Sequence, residues 1–365
     1  MVNSRVGQSG VGDERSLTAG IREDLPAEAF ALHPWRLLLG IPPVAAIAAG
    51  SVALVMVPLP WLVAVPGALF IGALYASLFF FGHEVGHGAV VRSRRVKEAV
   101  LYVTCLVYGL SPHLWMVWHN HAHHGHTNLP DEDPDTFGTL EAFRSRPLSR
   151  ALARFVPGSG HWLSALYLPT FFTLQAHGVL WFYSTGAAFR RFNRRRAILD
   201  TAAMTAFWIA VGVWAGPRGA LLAVVLPMIG CNLVMMSYVV TNHMLRPLAD
   251  DTDSLDTTMS VSTFKVLDLL FLNFSHHVEH HLFPSMSPRY YPLVRQSLLR
   301  RVPGRYLAPS HWRAVVMVFR TPRLYADAGT LVHPATGRRV PLTAVEAAVR
   351  GGRLTPDPAV SGSAP

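Results

Sequence analysis

Four long apolar segments constrain the fold of this 365-residue chain more than any other feature of its sequence. A helix needs about 20 apolar residues to cross the roughly 30 Å hydrocarbon core of a bilayer. Residues 37–57 and 61–81 meet this requirement on either side of the proline-marked turn PLPW, and residues 199–215 and 219–240 do so on either side of GPRG. The sequence therefore predicts an all-α integral membrane protein with four transmembrane helices in two hairpins.

Basic residues lie at one end of these segments. Arg36 precedes the first segment, RSRRVK follows the second and RRFNRRR precedes the third, whereas the two short turns contain only Arg218. Lys and Arg accumulate on the cytoplasmic side of membrane helices, so a multi-pass protein of the cytoplasmic (inner) membrane with both termini in the cytoplasm is predicted. The net charge of +10 fits attraction to anionic membrane lipids. A nucleic-acid partner is disfavoured, because no separate basic soluble domain is present.

The two ends of the chain differ from its middle. Residues 1–30 form a polar tail without the apolar core of a secretory signal, and residues 31–320 form the predicted membrane domain. Residues 321–365 are predicted to be a soluble, partly disordered tail ending in TPDPAVSGSAP. Two weaker apolar stretches, residues 99–118 and 162–183, are interrupted by Gly, Pro or His. They are predicted to be interfacial or partly re-entrant helices.

Histidines are concentrated in three motifs, HEVGHG, WHNHAHHGHTN and NFSHHVEHHLFP, and all three lie at the predicted cytoplasmic boundary. His83 and His87 have i, i+4 spacing, which places both rings on one face of a helix. A histidine-rich, metal-binding cap on the cytoplasmic side explains why clusters so distant in sequence all lie at the same membrane boundary. The candidate ligands are His83 and His87; His119, His123 and His124; His243, which ends the fourth segment; and His277, His280 and His281.

The number and type of these residues narrow the choice of metal. Cys105 and Cys231 lie in apolar stretches and form no metal-binding cluster. A single zinc ion uses three or four ligands, so eight or nine imidazoles fit two ions better. Imidazole binds Zn, Cu, Fe and Ni. Iron is favoured, because a metal pair within reach of acyl chains suits oxygen chemistry on unactivated C–H bonds.

The three motifs, with DEDPD after the second, resemble the three histidine boxes of the integral-membrane fatty acid desaturase family over roughly residues 36–302. The resemblance implies an enzyme with two iron ions as cofactor that uses O2 and two external electrons to introduce a C=C bond into an acyl chain. It implies the nine histidines named above as metal ligands and no catalytic residue beyond the metal site. The acyl chain would be carried by a lipid, coenzyme A or an acyl-carrier protein. No fused haem domain is visible, so a separate ferredoxin-type donor with its reductase is implied.

Further polar residues accompany the boxes. Three residues separate His119 from His123, where the family often has two, so His121 or His126 could replace a ligand. Residues beside ligands commonly orient an imidazole through its free N–H. This role is expected of Glu84, His121, His126, Asn128 and Glu279. The acidic loop with Asp131, Asp133 and Asp135 could do likewise or be solvated.

Three other functions remain open. A di-iron membrane hydroxylase or ketolase shares the same metal-site design. HEVGH also matches the zinc metalloprotease pattern, in which Glu84 would be the general base. Ionisable residues near a membrane can also mark the ion pathway of a metal-binding transporter.

Overall fold

A computed structural model describes residues 11–354 of the chain, apart from residues 137, 185, 187, 188, 191 and 250–252. The described chain is mostly helical, with one small sheet near its C-terminal end. The TPDPAVSGSAP segment lies outside the described residues, so its predicted disorder stays a prediction. The predicted division into two tails and a membrane domain also stays a prediction.

Within the described residues, three helical stretches are long and apolar enough to cross a membrane: Pro34–Met56, Trp61–Gly86 and Arg194–His243. The first consists of a 3-10 segment, Pro34–Gly40, and helix α2, Ile41–Met56. The second is helix α3 over its whole length, Trp61–Gly86. These two stretches correspond to the first two apolar segments of the sequence.

The third stretch contains both of the later apolar segments. Helix α9, Arg194–Ala220, continues through a π-helical turn, Leu221–Val225, into helix α10, Leu226–His243. Gly216, which Pro217 follows, interrupts the helical backbone with φ 69° and ψ 177°. The chain therefore bends between the two predicted spans, although helical structure resumes at once. Three candidate spans are established, and the count of four stays a prediction.

Helices α3 and α10 approach each other through glycines. A Cβ atom added at Gly72 would overlap the carbonyl oxygen of Pro227, and one added at Gly230 would lie 2.6 Å from the carbonyl oxygen of Leu69. Small residues allow membrane helices to approach closely. This contact aligns the ends of α3 and α10, where His83 and His243 lie.

Short elements fill the sequence between α3 and α9. Neither predicted interfacial stretch forms a candidate span within the described residues. The elements are, in order, α4 (Arg94–Thr104), a 3-10 turn (Leu106–Tyr108), α5 (Pro112–Val117), a π-helical turn (Trp118–His123), α6 (Leu140–Ser145), α7 (Pro147–Ala153), a 3-10 turn (Trp162–Leu166), α8 (Tyr167–Gly178) and a π-helical turn (Val179–Tyr183).

The chain after α10 folds over the ends of the long helices. Its elements are α11 (Ser254–Thr257), α12 (Lys265–Leu270), α13 (His277–Leu282), a 3-10 turn (Pro288–Tyr290), α14 (Tyr291–Arg301), α15 (His311–Arg320), β1 (Leu324–Asp327), β2 (Thr330–Val332), β3 (Arg339–Pro341) and α16 (Leu342–Val349). The strands form an antiparallel sheet of order β1-β2-β3. This sheet departs from the predicted all-α chain, because strands of three or four residues are too short to produce a recognisable alternation.

The N-terminal segment covers the third histidine motif. It begins with helix α1, Val11–Glu23, and a 3-10 turn, Ala27–Phe30. Ile21 and Leu25 belong to the same apolar cluster as Val278 of α13. Directly after α1, Asp24 accepts hydrogen bonds from residues of α14. This part of the chain is therefore packed against the domain that carries the histidines.

Candidate metal centre

All nine histidines that the sequence suggests as ligands lie in two adjacent groups. Group one consists of His83, His87, His119, His124 and His280. Group two consists of His123, His243, His277 and His281. Within each group the candidate ligand atoms all lie within 4.8 Å of one another. The groups are neighbours, because the rings of His124 and His281 stack with centroids 4.3 Å apart.

The end of α3 supplies the first two members of group one. His83 lies in the last turn of α3, and His87 follows as its C-terminal cap residue. His83 Nε2 lies 2.8 Å from His119 Nε2. His87 Nε2 is buried and has no hydrogen-bond partner within the described part of the chain. Both rings face the interior of group one, as expected for i, i+4 spacing.

A π-helical turn, Trp118–His123, divides the second motif between the groups. His124 donates its backbone N–H to the carbonyl of His119, five residues earlier. The wider π turn brings these two side chains together, with Nε2 atoms 3.2 Å apart. His123 instead faces group two, where its ring centroid lies 4.6 Å from that of His243. His119 and His123 also have i, i+4 spacing, and their rings stack with centroids 5.4 Å apart, but the two residues belong to different groups.

The third motif also serves both groups. On α13, His277 and His281 lie one turn apart with Nε2 atoms separated by 3.1 Å. His277 Nε2 lies 2.7 Å from the Nε2 atom of His243 at the end of α10. His280 turns to group one, where its Nε2 lies 3.0 Å from that of His124. One short helix thus joins the two groups.

The donor atoms fit metal ions. Facing Nε2 atoms separated by 2.7–3.2 Å must share either a proton or a cation, because two lone pairs repel at that distance. Two nitrogens bound at about 2.0–2.1 Å to one ion and at right angles to each other are about 3 Å apart. The arrangement matches the spacing of ligands around a common ion in each group.

Burial keeps most of these rings neutral, which is the state that binds metals. Burial lowers the pKa of each ring well below the usual value of histidine. The repulsion that a second protonated histidine would exert lowers that pKa further. This applies outside the long helices to His87, His119, His124, His277, His280 and His281.

His123 is the exception. Burial lowers its pKa, but the carboxylates of Asp133 and Asp135 outweigh that effect and raise the pKa to about 9. Its Nδ1 lies 3.1 Å from Asp133 Oδ1 and 3.3 Å from Asp135 Oδ2. The backbone N–H of Asn128 donates to Asp133 Oδ2 at 2.9 Å, which holds the carboxylate in place. The acidic loop, rather than the glutamates of the motifs, therefore orients a candidate ligand.

Glu84 has different partners from those expected. Both of its oxygens accept hydrogen bonds from Arg36, at 2.5 and 2.8 Å, and Ser287 donates to it as well. Successive helical residues point about 100° apart, so the carboxylate faces away from the ring of His83. A carboxylate held on both oxygens by an arginine is poorly placed to be the general base of a zinc protease.

Glu279 is held in a similar way. Arg295 donates to it at 3.0 Å and the Tyr306 hydroxyl at 2.6 Å, while Ser260 donates to the other carboxylate oxygen. The same Ser260 hydroxyl accepts the backbone N–H of His277 at 3.0 Å. Glu279 therefore fixes the beginning of α13 through Ser260 rather than by touching a ring.

The remaining motif histidines lie outside both groups. His121 is exposed, and His126 contacts Glu132 and the carbonyl of Ala122. Sequence reasoning did not identify Tyr291, whose hydroxyl lies 3.1 Å from His280 Nδ1. No local signal marks this tyrosine, because it lies on a different helix from its partner.

A small cavity lies directly beside group one. Its walls combine ring faces of the metal centre with apolar and aromatic side chains. The lining residues are Phe80, His83, Glu84, Leu272, Phe274, His276, His280, Pro284, Pro288 and Tyr291. Its volume of about 10 Å³ has room for about one water molecule, so a ligand segment would enter only if the lining side chains move.

Comparison with known proteins agrees with this site. The family model named "Fatty acid desaturase" matches residues 59–314, which is more than half of the chain and contains all nine histidines. The chain is also 25% identical to the sn-1 oleoyl-lipid 12-desaturase of Picosynechococcus sp. over 309 residues, covering 79% of this chain and 83% of that protein. The chain belongs to the fatty acid desaturase family.

Proposed function

We propose that this protein is a membrane-bound di-iron desaturase that removes two hydrogens from an acyl chain and uses O2 and electrons from a separate carrier. The observation that carries this proposal is the pair of adjacent histidine groups. Membership of the desaturase family supports the reaction class. The expected electron donor is a ferredoxin-type protein with its reductase.

The nine histidines would hold two irons, one in each group. When bound, the irons supply the activation of O2 that oxidation of an unactivated C–H bond requires. The protein keeps most of the rings neutral by burial and holds His123 with two carboxylates. The aromatic walls of the cavity, including Phe80 and Phe274, exclude water and align the acyl chain.

The proposed topology has four transmembrane helices in two hairpins, with both termini and the metal centre on the cytoplasmic side of the inner membrane. The bend at Gly216 supports a hairpin formed by α9 and α10. The basic residues that flank the long helices support the orientation.

A lipid-bound acyl chain is the proposed substrate. The similar protein of Picosynechococcus sp. is named as acting on an oleoyl lipid. The largely apolar lining of the cavity at the end of α3 supports an acyl chain of the same kind here, for which the lining side chains would have to move apart.

The test is gas chromatography with mass spectrometry of total lipids from cells that express the protein with a ferredoxin-type donor. We expect a new double bond with the wild-type protein and none with His280→Ala. His121→Ala is the matched control, because this histidine shares the second motif but lies outside both groups, and it should retain the product. An added oxygen would instead indicate a hydroxylase or ketolase. An unchanged lipid profile from protein that contains two irons would contradict the proposal.

A further inference from the structure

Four large apolar side chains form an exposed surface on the domain that carries the histidines. We name Phe264, Val266, Leu269 and Trp312 the apolar edge. Their exposed fractions are 79%, 68%, 67% and 77%. Large apolar residues at such exposure and in one place mark a surface that contacts another molecule or a membrane.

The backbone brings the two parts of the apolar edge together. Ser262 and Ser310 form a parallel β-bridge, and His311 donates its backbone N–H to the carbonyl of Ser262 at 3.0 Å. The two chains run in the same direction from this bridge. The bridge therefore brings together the beginnings of α12, which Phe264 precedes, and of α15, which contains Trp312.

Contacts with the long helices fix the depth of the apolar edge. Ser77 of α3 donates to the carbonyl of Leu270, the last residue of α12, at 2.5 Å. His311 Nε2 lies 3.0 Å from the carbonyl oxygen of Ser237 on α10. Ser77 and Ser237 each lie six residues before the histidine of their helix, His83 or His243, which is about 9 Å along the axis. Both contacts therefore lie within the apolar parts of candidate membrane spans.

The charges of this segment fit a membrane surface. Asp268, the only acidic residue between positions 263 and 273, accepts hydrogen bonds from Thr263 at 2.8 Å and Ser275 at 2.5 Å. Its charge is thereby turned inward. Lys265 is exposed, and its long side chain can extend to a lipid phosphate while the neighbouring apolar residues stay in the acyl region.

The apolar edge leads directly to the cavity beside group one. Leu272 and Phe274, which follow α12, line that cavity. Phe274 also stacks on Phe80 with ring centroids 3.9 Å apart. The Phe274 and His83 ring centroids are 5.2 Å apart. A chain moving inward from the apolar edge would therefore meet the aromatic walls before the histidines.

We propose that the apolar edge is inserted into the bilayer leaflet nearest the histidine groups, and that an acyl chain enters the cavity from this leaflet while still attached to its membrane lipid. The choice of substrate rests on the proposed desaturase function. The insertion itself is independent of any reaction.

Insertion can be tested with a Leu269→Cys variant of the full chain, labelled with bimane and reconstituted in vesicles of phosphatidylcholine and phosphatidylglycerol. Cys105 and Cys231 are buried, and the wild-type protein measures their background labelling. Ala335→Cys is the matched control, because position 335 is exposed in the turn between β2 and β3. We expect quenching by acyl-chain nitroxides to be several-fold stronger at position 269 than at position 335, and quenching by iodide to show the reverse.

Equal access of iodide to both positions would overturn the proposal. So would protection of position 269 from both quenchers, because a protein surface would then cover the apolar edge. The access route is tested in the same vesicles with a phosphatidylcholine that carries a diazirine in its acyl chain. We expect crosslinks on Leu272 or Phe274, whereas crosslinks confined to the apolar edge would overturn the route. Neither readout needs turnover, so failure of the lipid-product assay would be a separate result.

Discussion

The two histidine groups differ in how the protein supports them. In group two, two carboxylates hold the ring of His123. In group one, the described residues place no carboxylate within ion-pair distance of a ring, and the Tyr291 hydroxyl contacts His280. An ion in group two would therefore have two carboxylates nearby, whereas an ion in group one would have none at that distance and would lie near the ammonium of Lys97, whose charge acts on His87. The two sites should differ in how they bind and lose metal.

The largest effect is expected from removing one ligand in each group. His87→Ala and His277→Ala should each lower desaturation by more than about 100-fold, because loss of a residue that merely orients a ligand already costs about 10–100-fold in affinity or activity. Iron analysis of the purified variants should show one ion retained in each. His121→Ala is the control, and the purified variant should retain both ions. Loss of both ions in either variant would show that the groups bind metal as one unit.

The buried ion pairs beside the motifs provide the next comparison. Arg36→Met leaves the Glu84 carboxylate with Ser287, whereas Arg295→Met leaves Glu279 with both Ser260 and Tyr306. Removing one partner of a buried pair typically costs about 3–5 kcal/mol. We expect Arg36→Met to approach that cost and Arg295→Met to cost less.

Thermal unfolding of the detergent-solubilised variants measures this difference. Arg339→Met, a change of an exposed arginine on β3, is the control for the loss of positive charge. A larger destabilisation by Arg295→Met than by Arg36→Met would contradict the expected order.

Neutralising one carboxylate should affect group two alone. Asp133→Asn removes one of the two negative charges beside His123 while retaining an oxygen that can accept its N–H. We expect iron affinity in group two to fall about 10- to 100-fold, as is common for such carboxylates, with group one unchanged. Stepwise iron titration separates the two sites, and Glu132→Gln is a nearby exposed control. An equal loss at both sites would remove the distinction between the groups.

The smallest effect on iron affinity is expected from a change beside group one. Tyr291→Phe removes one hydrogen bond to His280 Nδ1, and a net hydrogen bond contributes about 0.5–1.5 kcal/mol. This corresponds to a roughly 2- to 10-fold loss of iron affinity in group one. Tyr290→Phe is the matched control, because the Tyr290 ring lies beside His33, outside both groups. A loss in group two instead would mean that Tyr291 acts through α13 as a whole.

Helical periodicity explains which parts of this site could be predicted. The pairs His83 with His87 and His277 with His281 behave as i, i+4 spacing requires. The second motif does not, because the π-helical turn places His124 in the same group as His119, whereas His123, four residues after His119, belongs to the other group. A single-turn change of helical type depends on tertiary contacts and has no clear sequence signal.

Long-range contacts explain why other parts of the site and fold could not be predicted from the sequence. The sequence identified Arg36 only as a charge at a membrane boundary, and its ion pair joins residues 48 positions apart. The role of Asp133 depends on a loop whose backbone reverses at Asn128 and Asp131, both of which have positive φ. The bend at Gly216 was visible from GPRG, whereas the docking of α1 against α13 and α14 was not, because its apolar residues are few and widely spaced.

The spread of the candidate ligands along the chain sets an order for assembly of the two groups during synthesis. Group one lacks a member until His280 has been made, and group two until His281 has been made, although His83 lies at the end of the second long helix. At about 5–20 residues per second, the interval between the first and last ligand is roughly 10–40 s. The candidate membrane helices are therefore complete before either histidine group can be. In a newly made chain, both groups are completed by one short helix, α13, so the proposed metal loading would follow synthesis of all the candidate membrane helices.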